Sequence, residues 1–307
     1  MNNSALANLN QTQRDRIAHI DFTLFFKGEA NRADLVDRFN ITPAQATKDF
    51  TLYRDLAAEN IIYDQKLRTH LRGAKFKSLF DYDVDRTLST LSHGYGDGFA
   101  GKFKPPLACE APYHLSKPSL DVVAQVTEAI HKARALVITY VSLSSGESHR
   151  EIVPHTLVDN GLRWHVRGFD RKNGEFRDFV LTRIKNASVN EASTVEELEF
   201  VLQDRQWNRF VDLELVPHPN IKHPEAITLD YGMEDGVLRI AVRAATAGYL
   251  LRLWNVDCSK NSQLVGTEYH LWLRNRQTLY GVENLFIAPG YCENTTRVSS
   301  HSGREAD

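Results

Sequence analysis

The segment 134–184 constrains the fold of this chain more than any other. It carries four short β-branched and aromatic runs, LVITYVSL, EIVPHTLV, LRWHVRGF and FRDFVLTRI, set apart by the turn formers SSGE, DNG and RKNG. Runs of this length between such turns are antiparallel strands, and four so closely spaced predict a small sheet or barrel. Within the third run, two-residue alternation puts Leu162, Trp164 and Val166 on one face and Arg163, His165 and Arg167 on the other. The first face is expected to pack a core, Trp164 included. The second would present two guanidiniums and an imidazole.

The N-terminal part reads differently. From Thr12 a helical period places Ile17, Ile20 and Leu24 on one side, until Gly28 interrupts it. A second helix fits 32–39, with Leu35, Val36 and Phe39 inward. Thr42-Pro43 then opens a third helix over 44–59, Thr42 as cap and Pro43 in the first turn, with Ala46, Phe50, Tyr53 and Ala57 on one stripe. A hairpin over 60–80 follows. Three short helices and a hairpin, in that order, predict a winged helix-turn-helix. The third helix would enter the major groove, offering Thr42, Gln45, Thr47, Lys48, Thr51 and Arg54 outside its apolar stripe. Residues 65–78, QKLRTHLRGAKFKS, hold five basic side chains and no acidic one. Of these, Arg68, Arg72, Lys75 and Lys77 are the expected phosphate contacts of the wing. Each feature alone also fits an ordinary surface helix or a solvated hairpin.

Net charge, −2, argues against nucleic acid until its distribution is considered. Residues 11–80 carry twelve Lys/Arg against nine Asp/Glu, and 131–190 carry ten against six, whereas 191–307 carry eleven against seventeen. Two basic segments and an acidic C-terminal third suit DNA contact by the former and protein contact by the latter. Leu250, Leu253, Trp254 and Leu285 are candidates for an apolar dimer surface.

The strand-rich segment also resembles the WYL domain of bacterial regulators. Tyr140-Val141-Ser142, Val153-Pro154-His155, Arg163 to Asp170 (RWHVRGFD) and Phe179 to Ile184 (FVLTRI) carry the likeness, with Trp164-His165-Val166 where the namesake Trp-Tyr-Leu stands. The WHVR form after PH-x-L is similar to the BrxR/CapW type. The resemblance implies an α+β protein: an N-terminal winged helix-turn-helix (11–92), a central Sm-like β-barrel of WYL type (119–190) and a C-terminal α/β dimerisation domain (191–292); the Gly- and Pro-rich 93–118 reads as a linker, and 293–307, poor in apolar residues, as a disordered tail. It implies a homodimeric repressor of an anti-phage defence operon, bound to double-stranded DNA at an inverted repeat. It further implies an anionic effector, a nucleotide or nucleic acid among the candidates, at Tyr140, Ser142, His155, Arg167 and Arg183. For Arg167 and Arg183 the alternative is ion pairing with Asp170 or Asp178; for His155 it is a satisfied, half-buried imidazole. The helix over 119–132 would couple the sensor to the DNA-binding part. An alternative function is a nucleic-acid-processing accessory protein whose WYL domain binds single strands.

Other classes find little support. There is no G-x-S-x-G elbow, Walker A loop or H-E-x-x-H, so an enzyme is not expected, nor a cofactor or catalytic metal. HGYGDG at 93–98 lacks phosphate-loop spacing, and His218 and His223 sit in a Pro-rich connection without a third ligand. Cys109, Cys258 and Cys292 are odd in number and far apart, which suits reduced cytoplasmic thiols. No run of about 18 apolar residues occurs and the N-terminus has no apolar signal core, so neither membrane nor export is expected.

Overall fold

The computed structural model describes Leu6, 9–93 and 115–292. Most of the expected linker, with Cys109, and the expected tail fall outside these residues. The chain divides into two compact units: Met1–Tyr140 with His149–Pro154 and Leu181–Thr194, and Val141–Ser148 with His155–Val180 and Val195–Asp307.

The first unit opens with α1 (Gln11–Lys27). The Asn10 side chain accepts the Gln13 N–H, and Gly28, at φ 75°, ends the helix by donating its N–H to the Leu24 carbonyl. A Cβ at Gly28 would also lie 2.3 Å from Glu128 Oε1, so that carboxylate would have to move, and the positive φ is what favours glycine here. Ile17, Ile20 and Leu24 are buried as their spacing predicts, but so are Ala18, Phe22 and Phe26 on other faces. The reason is a partner helix: Thr127 Oγ1 donates to the Phe26 carbonyl at 2.7 Å. His19 is buried there too, edge-on to Phe39, and burial with the Arg38 and Lys27 charges lowers its pKa to about 3.

Next come β1 (Glu29–Ala30), α2 (Arg32–Phe39) and α3 (Pro43–Leu56), then β2 (Ile61–Asp64) and β3 (Thr69–Arg72), paired in the order β1-β3-β2. Strand β1 is too short to be read from sequence. The third helix, expected to reach residue 59, stops at Leu56 because Asn60 is drawn inward. Its amide donates to Tyr53 Oη (3.2 Å) and the Lys77 carbonyl (2.7 Å) while its carbonyl oxygen accepts the Lys77 N–H (2.8 Å). The segment after the wing is tied back to α1 by buried Asp21, which accepts from Tyr53 Oη (2.6 Å), Ser78 Oγ (2.7 Å) and Tyr82 Oη (3.0 Å). Ile17, Ile20, Leu24, Leu35, Ala46, Phe50, Tyr53 and Ile61 form one core. Two further helices, α4 (Val84–His93) and α5 (Leu120–His131), follow. The first was not expected; the second matches the helix read over 119–132.

The strand-rich segment forms β4 (Ala135–Ser142), β5 (Gly146–Asp159), β6 (Trp164–Asp170), β7 (Glu175–Val180) and β8 (Ile184–Asn190), in the order β7-β6-β5-β4-β8. The fourth predicted run breaks at the turn Leu181–Arg183, and the polar stretch after it supplies β8, which sequence reading missed. A ladder joining β7 to β8, which would close an Sm-like barrel, is not among the pairings of the described residues. Every residue of β6 is buried, so the expectation of an open cationic face is corrected: His165 and Arg167 are covered.

In the second unit the chain continues through α6 (Arg205–Asn208), β9 (Phe210–Pro217), α7 (Pro224–Asp230), β10 (Leu238–Arg243), α8 (Ala244–Leu253), β11 (Val256–Asp257) and β12 (Leu271–Leu273), with sheet order β10-β9-β12-β11. Val211, Leu213, Leu215, Leu251, Leu271 and Leu273 anchor its core. Leu285 belongs to that core, which corrects its assignment to a dimer surface; Leu250 and Trp254 pack against it, and only Leu253 of the four is exposed. His218 is also internal, its Nε2 3.1 Å from Asp257 Oδ2. No helix among the described residues is long and apolar enough to cross a membrane, and no His, Cys, Asp and Glu cluster there fits a metal.

Candidate nucleic-acid interface and effector site

Helix α3 is held in place from behind. Arg16 and Asp49 form a buried two-point pair (Nε to Oδ2 2.6 Å, Nη2 to Oδ1 3.2 Å) that ties α1 to the inner side of α3. Thr42 caps the helix by accepting the Gln45 N–H at 3.2 Å. With the inner side committed, Thr42, Thr47, Lys48, Thr51 and Arg54 face solvent. The Thr47 and Thr51 hydroxyls donate to the Pro43 and Thr47 carbonyls, each at 3.0 Å, leaving lone pairs outward. Gln45 is half-buried, and its amide donates to Asp49 at 3.1 Å. A base contact by Gln45 therefore exchanges one hydrogen bond for another.

The wing turn is set by Asp64, whose Oδ1 accepts the Lys66 and Leu67 N–H groups at 2.8 and 2.9 Å, with Arg68 left-handed at φ 54°. Lys66, Arg68, Lys75 and Lys77 are exposed, and Lys75 pairs loosely with Glu59 at 3.0 Å. Arg72 turns the other way. Its guanidinium donates to the Phe25 carbonyl at 2.8 Å and pairs with Glu128 of α5, which Lys132 also approaches at 2.7 Å.

Between α3 and the wing strands lies a cavity of about 240 Å³. Phe50 and Ile61 line it, with Thr47, Thr51 and Arg54 from α3, Arg32 from the start of α2, and Tyr63 and His70 from the wing. His70 stacks on Phe50 (4.2 Å, 11°) and meets Tyr63 at 4.9 Å. Burial, with the Arg32 and Arg54 charges, lowers the His70 pKa. Arg32, Tyr63 and His70 were not singled out from sequence. The usable signal was Arg32, which opens the helix before α3.

The expected effector residues separate. His155 and Arg167 meet at Asp204, which the sequence did not suggest. Arg167 donates to Asp204 through Nε (2.6 Å) and Nη2 (3.0 Å) and to Asp178 through Nη1 (3.0 Å), while His155 Nε2 lies 3.1 Å from Asp204. Asp204 also caps α6 by accepting the Trp207 N–H at 3.0 Å. Tyr249 of α8 donates to Asp178 at 3.0 Å and stacks on His165 at 5.2 Å. Burial alone would raise the Asp204 carboxyl; the hydrogen bonds from His155 and Arg167 and the guanidinium charge outweigh it and hold it far below the carboxylate range. Burial and the Asp178 charge push the Tyr249 phenol up. A second guanidinium, Arg171, is gripped by Glu199 at 2.6 and 2.7 Å. Ser142 is buried and caps the turn after β4, accepting the Ser144 N–H at 3.2 Å. Tyr140, fully buried, and Arg183, half-buried in the turn before β8, belong to the other compact unit. Asp170 serves its own turn, accepting from Lys172 N–H and Asn173.

Comparison with known proteins gives three family matches along the chain. Residues 12–93 match the BrxR transcriptional regulator winged helix-turn-helix domain, 121–189 the WYL domain and 210–279 the BrxR transcriptional regulator C-terminal dimerization domain. The DNA-binding transcriptional repressor CapW of Escherichia coli (strain KTE188) is 32% identical over 279 residues, covering 88% of this chain and 91% of that one. CapW of Pseudomonas aeruginosa is 33% identical, covering 80% and 83%, and CapW of Stenotrophomonas maltophilia 30% identical, covering 90% and 94%.

Proposed function

Because this chain belongs to the BrxR/CapW family of DNA-binding transcriptional repressors, we propose that it is a cytoplasmic homodimer repressing an anti-phage defence operon from an inverted-repeat operator. The domain limits read from sequence, including a closed WYL barrel, are part of this proposal. One observation carries it: a capped, back-anchored α3 presents Thr47, Lys48, Thr51 and Arg54 to solvent beside a wing whose Arg68, Lys75 and Lys77 are exposed. Two such helices in a symmetric dimer fit half-sites about one DNA turn apart.

The effector is an anion acting on the Arg167 cluster. Arg167 already holds two carboxylates, so binding would be an exchange in which the anion takes the guanidinium and Asp204 or Asp178 lets go. Asp204 caps α6 and Asp178 holds Tyr249 of α8, so the exchange would reach the segment expected to dimerise. A coupling of about 1–3 kcal/mol suffices to derepress an operon. Tyr140, Ser142 and Arg183 enter this site through the family resemblance alone.

Footprinting the full-length protein on the DNA upstream of its own operon tests the reading. A protected palindrome supports it, and Gln45→Ala and Lys48→Ala should each weaken operator binding, by about 1–3 kcal/mol where a two-point base contact is lost. Preference for single strands over any duplex would favour the accessory-protein reading instead.

A further inference from the structure

The cavity between α3 and the wing lies beside the exposed side chains of α3 and is lined from α2, α3 and the wing strands. Its rim carries two guanidiniums, Arg32 and Arg54, for which no carboxylate partner is found among the described residues. No acidic side chain lines it; the other polar groups are Thr47, Thr51, Tyr63 and His70. Arg32 is turned toward α3 by a 3.3 Å contact with Thr47 Oγ1, so the two cations come from different helices onto one opening. Both line the same cavity as the His70 imidazole. A concave site with two unneutralised guanidiniums attracts an anion, and guanidinium is suited to phosphate. The aromatic wall of Tyr63 and His70 adds a flat apolar surface at the same place.

The volume, about 240 Å³, is below the roughly 300–1,000 Å³ of pockets that enclose a free small molecule. It suits one sugar-phosphate unit. We propose that this cavity seats a single phosphodiester of the bound duplex, clasped between Arg32 and Arg54, with Tyr63 lying against the neighbouring deoxyribose. Arg32 and Tyr63 thereby set how deeply α3 enters the groove, a positioning role distinct from base reading by Gln45 or Lys48. The inference rests on the DNA-binding reading above.

The test uses the full-length protein and a mixed-sequence 30-base-pair duplex, with affinity measured by fluorescence anisotropy across a potassium chloride series. Each phosphate contact contributes about 0.9 to the log–log salt slope. Arg32→Ala and Arg54→Ala should each flatten the slope by about 0.9 and the double variant by about 1.8. Arg32→Lys should keep most of the slope. Tyr63→Ala should weaken binding at every salt concentration without changing the slope. All three residues are exposed, and a circular-dichroism melt checks that each variant is folded. Wild-type protein that binds no duplex overturns the DNA-binding reading and this seat with it. Wild-type protein that binds, with unchanged slopes in both arginine variants, overturns the seat alone. Saturable binding of thymidine monophosphate without DNA, abolished by Arg32→Ala, would assign the cavity to a free nucleotide and also overturn it.

Discussion

Replacing Arg167 with Leu separates a structural ion pair from a sensing residue, and the geometry sets the expected magnitude. Arg167, Asp204 and Asp178 side chains are 6, 1 and 11% exposed. Removing the cation strands two carboxylates, and breaking a buried pair from one side costs about 3–5 kcal/mol. Asp204 keeps its bonds from His155 and the Trp207 N–H, so the low end, about 3 kcal/mol, is expected. For a unit of this size that is a drop of roughly 6–12 °C in melting temperature. Calorimetry of the full chain at pH 7 measures it. Arg167→Leu/Asp204→Asn should recover about 1–2 kcal/mol of the loss, because contacting residues are not additive. Acid gives a second readout. In the wild type the Asp204 pKa is depressed, so its contribution is complete above the unfolded value of about 3.9 and is lost as pH falls below it. Without Arg167, the His155 hydrogen bond still lowers the Asp204 pKa but the guanidinium's hydrogen bonds and charge are gone, so the gap between variant and wild type should narrow on acidification. A single variant within about 0.5 kcal/mol of wild type, the range of ordinary surface changes, would refute the claim that Asp204 and Asp178 depend on this guanidinium.

Other consequences follow from the same contacts. His19 is buried with its pKa lowered to about 3, so the unfolded chain takes up its proton first; stability from this group is full above about pH 6.5, falls between there and about 3, and is down by about 2 kcal/mol at pH 5. Urea midpoints should show that dependence in wild type and lose it in His19→Phe; equal pH profiles would contradict the burial argument. Arg72→Ala should lower stability by about 1.5–3 kcal/mol through loss of its Glu128 and Phe25 contacts and leave the salt slope of DNA binding nearly unchanged, whereas neutralising Arg68, Lys75 and Lys77 should do the reverse; a melt and a salt titration on each decide it. Tyr280 and Phe286 are exposed aromatics of the C-terminal region while Leu285 is internal, so Tyr280→Asp with Phe286→Asp should halve the mass seen by sedimentation, and Leu285→Ala should instead cost about 2–5 kcal/mol of folding stability; a dimer that survives the double aspartate variant places the interface elsewhere.

Much of the winged helix was legible because its determinants are local. Thr42-Pro43 opens a helix by capping and a preset φ, Gly28 closes one because only glycine is comfortable there, and Ile17, Ile20, Leu24, Phe50 and Tyr53 announce a core by their spacing. The strands of the central sheet were legible for the same reason, through β-branched runs between turn formers. Strands β1 and β8 were not, since two residues and a polar heptamer take their conformation from the strands they pair with.

The sites divide along the same line. Sequence alone determined where basic residues concentrate along the chain and, through Tyr140-Val141-Ser142, WHVR and FVLTRI, which family the sheet belongs to. It could not determine what meets each cation, because charge pairing joins residues far apart along the chain. Arg72 finds Glu128 across 56 positions, Arg167 finds Asp204 across 37, and Tyr249 reaches Asp178 across 71. Alternation assigned Arg167 a face of β6, yet whether that face met solvent depended on 195–292 folding back over it, a condition no local pattern encodes. The same holds at the groove: Arg32, Arg54 and Tyr63 lie on three separate elements, and only tertiary packing brings their side chains to one opening.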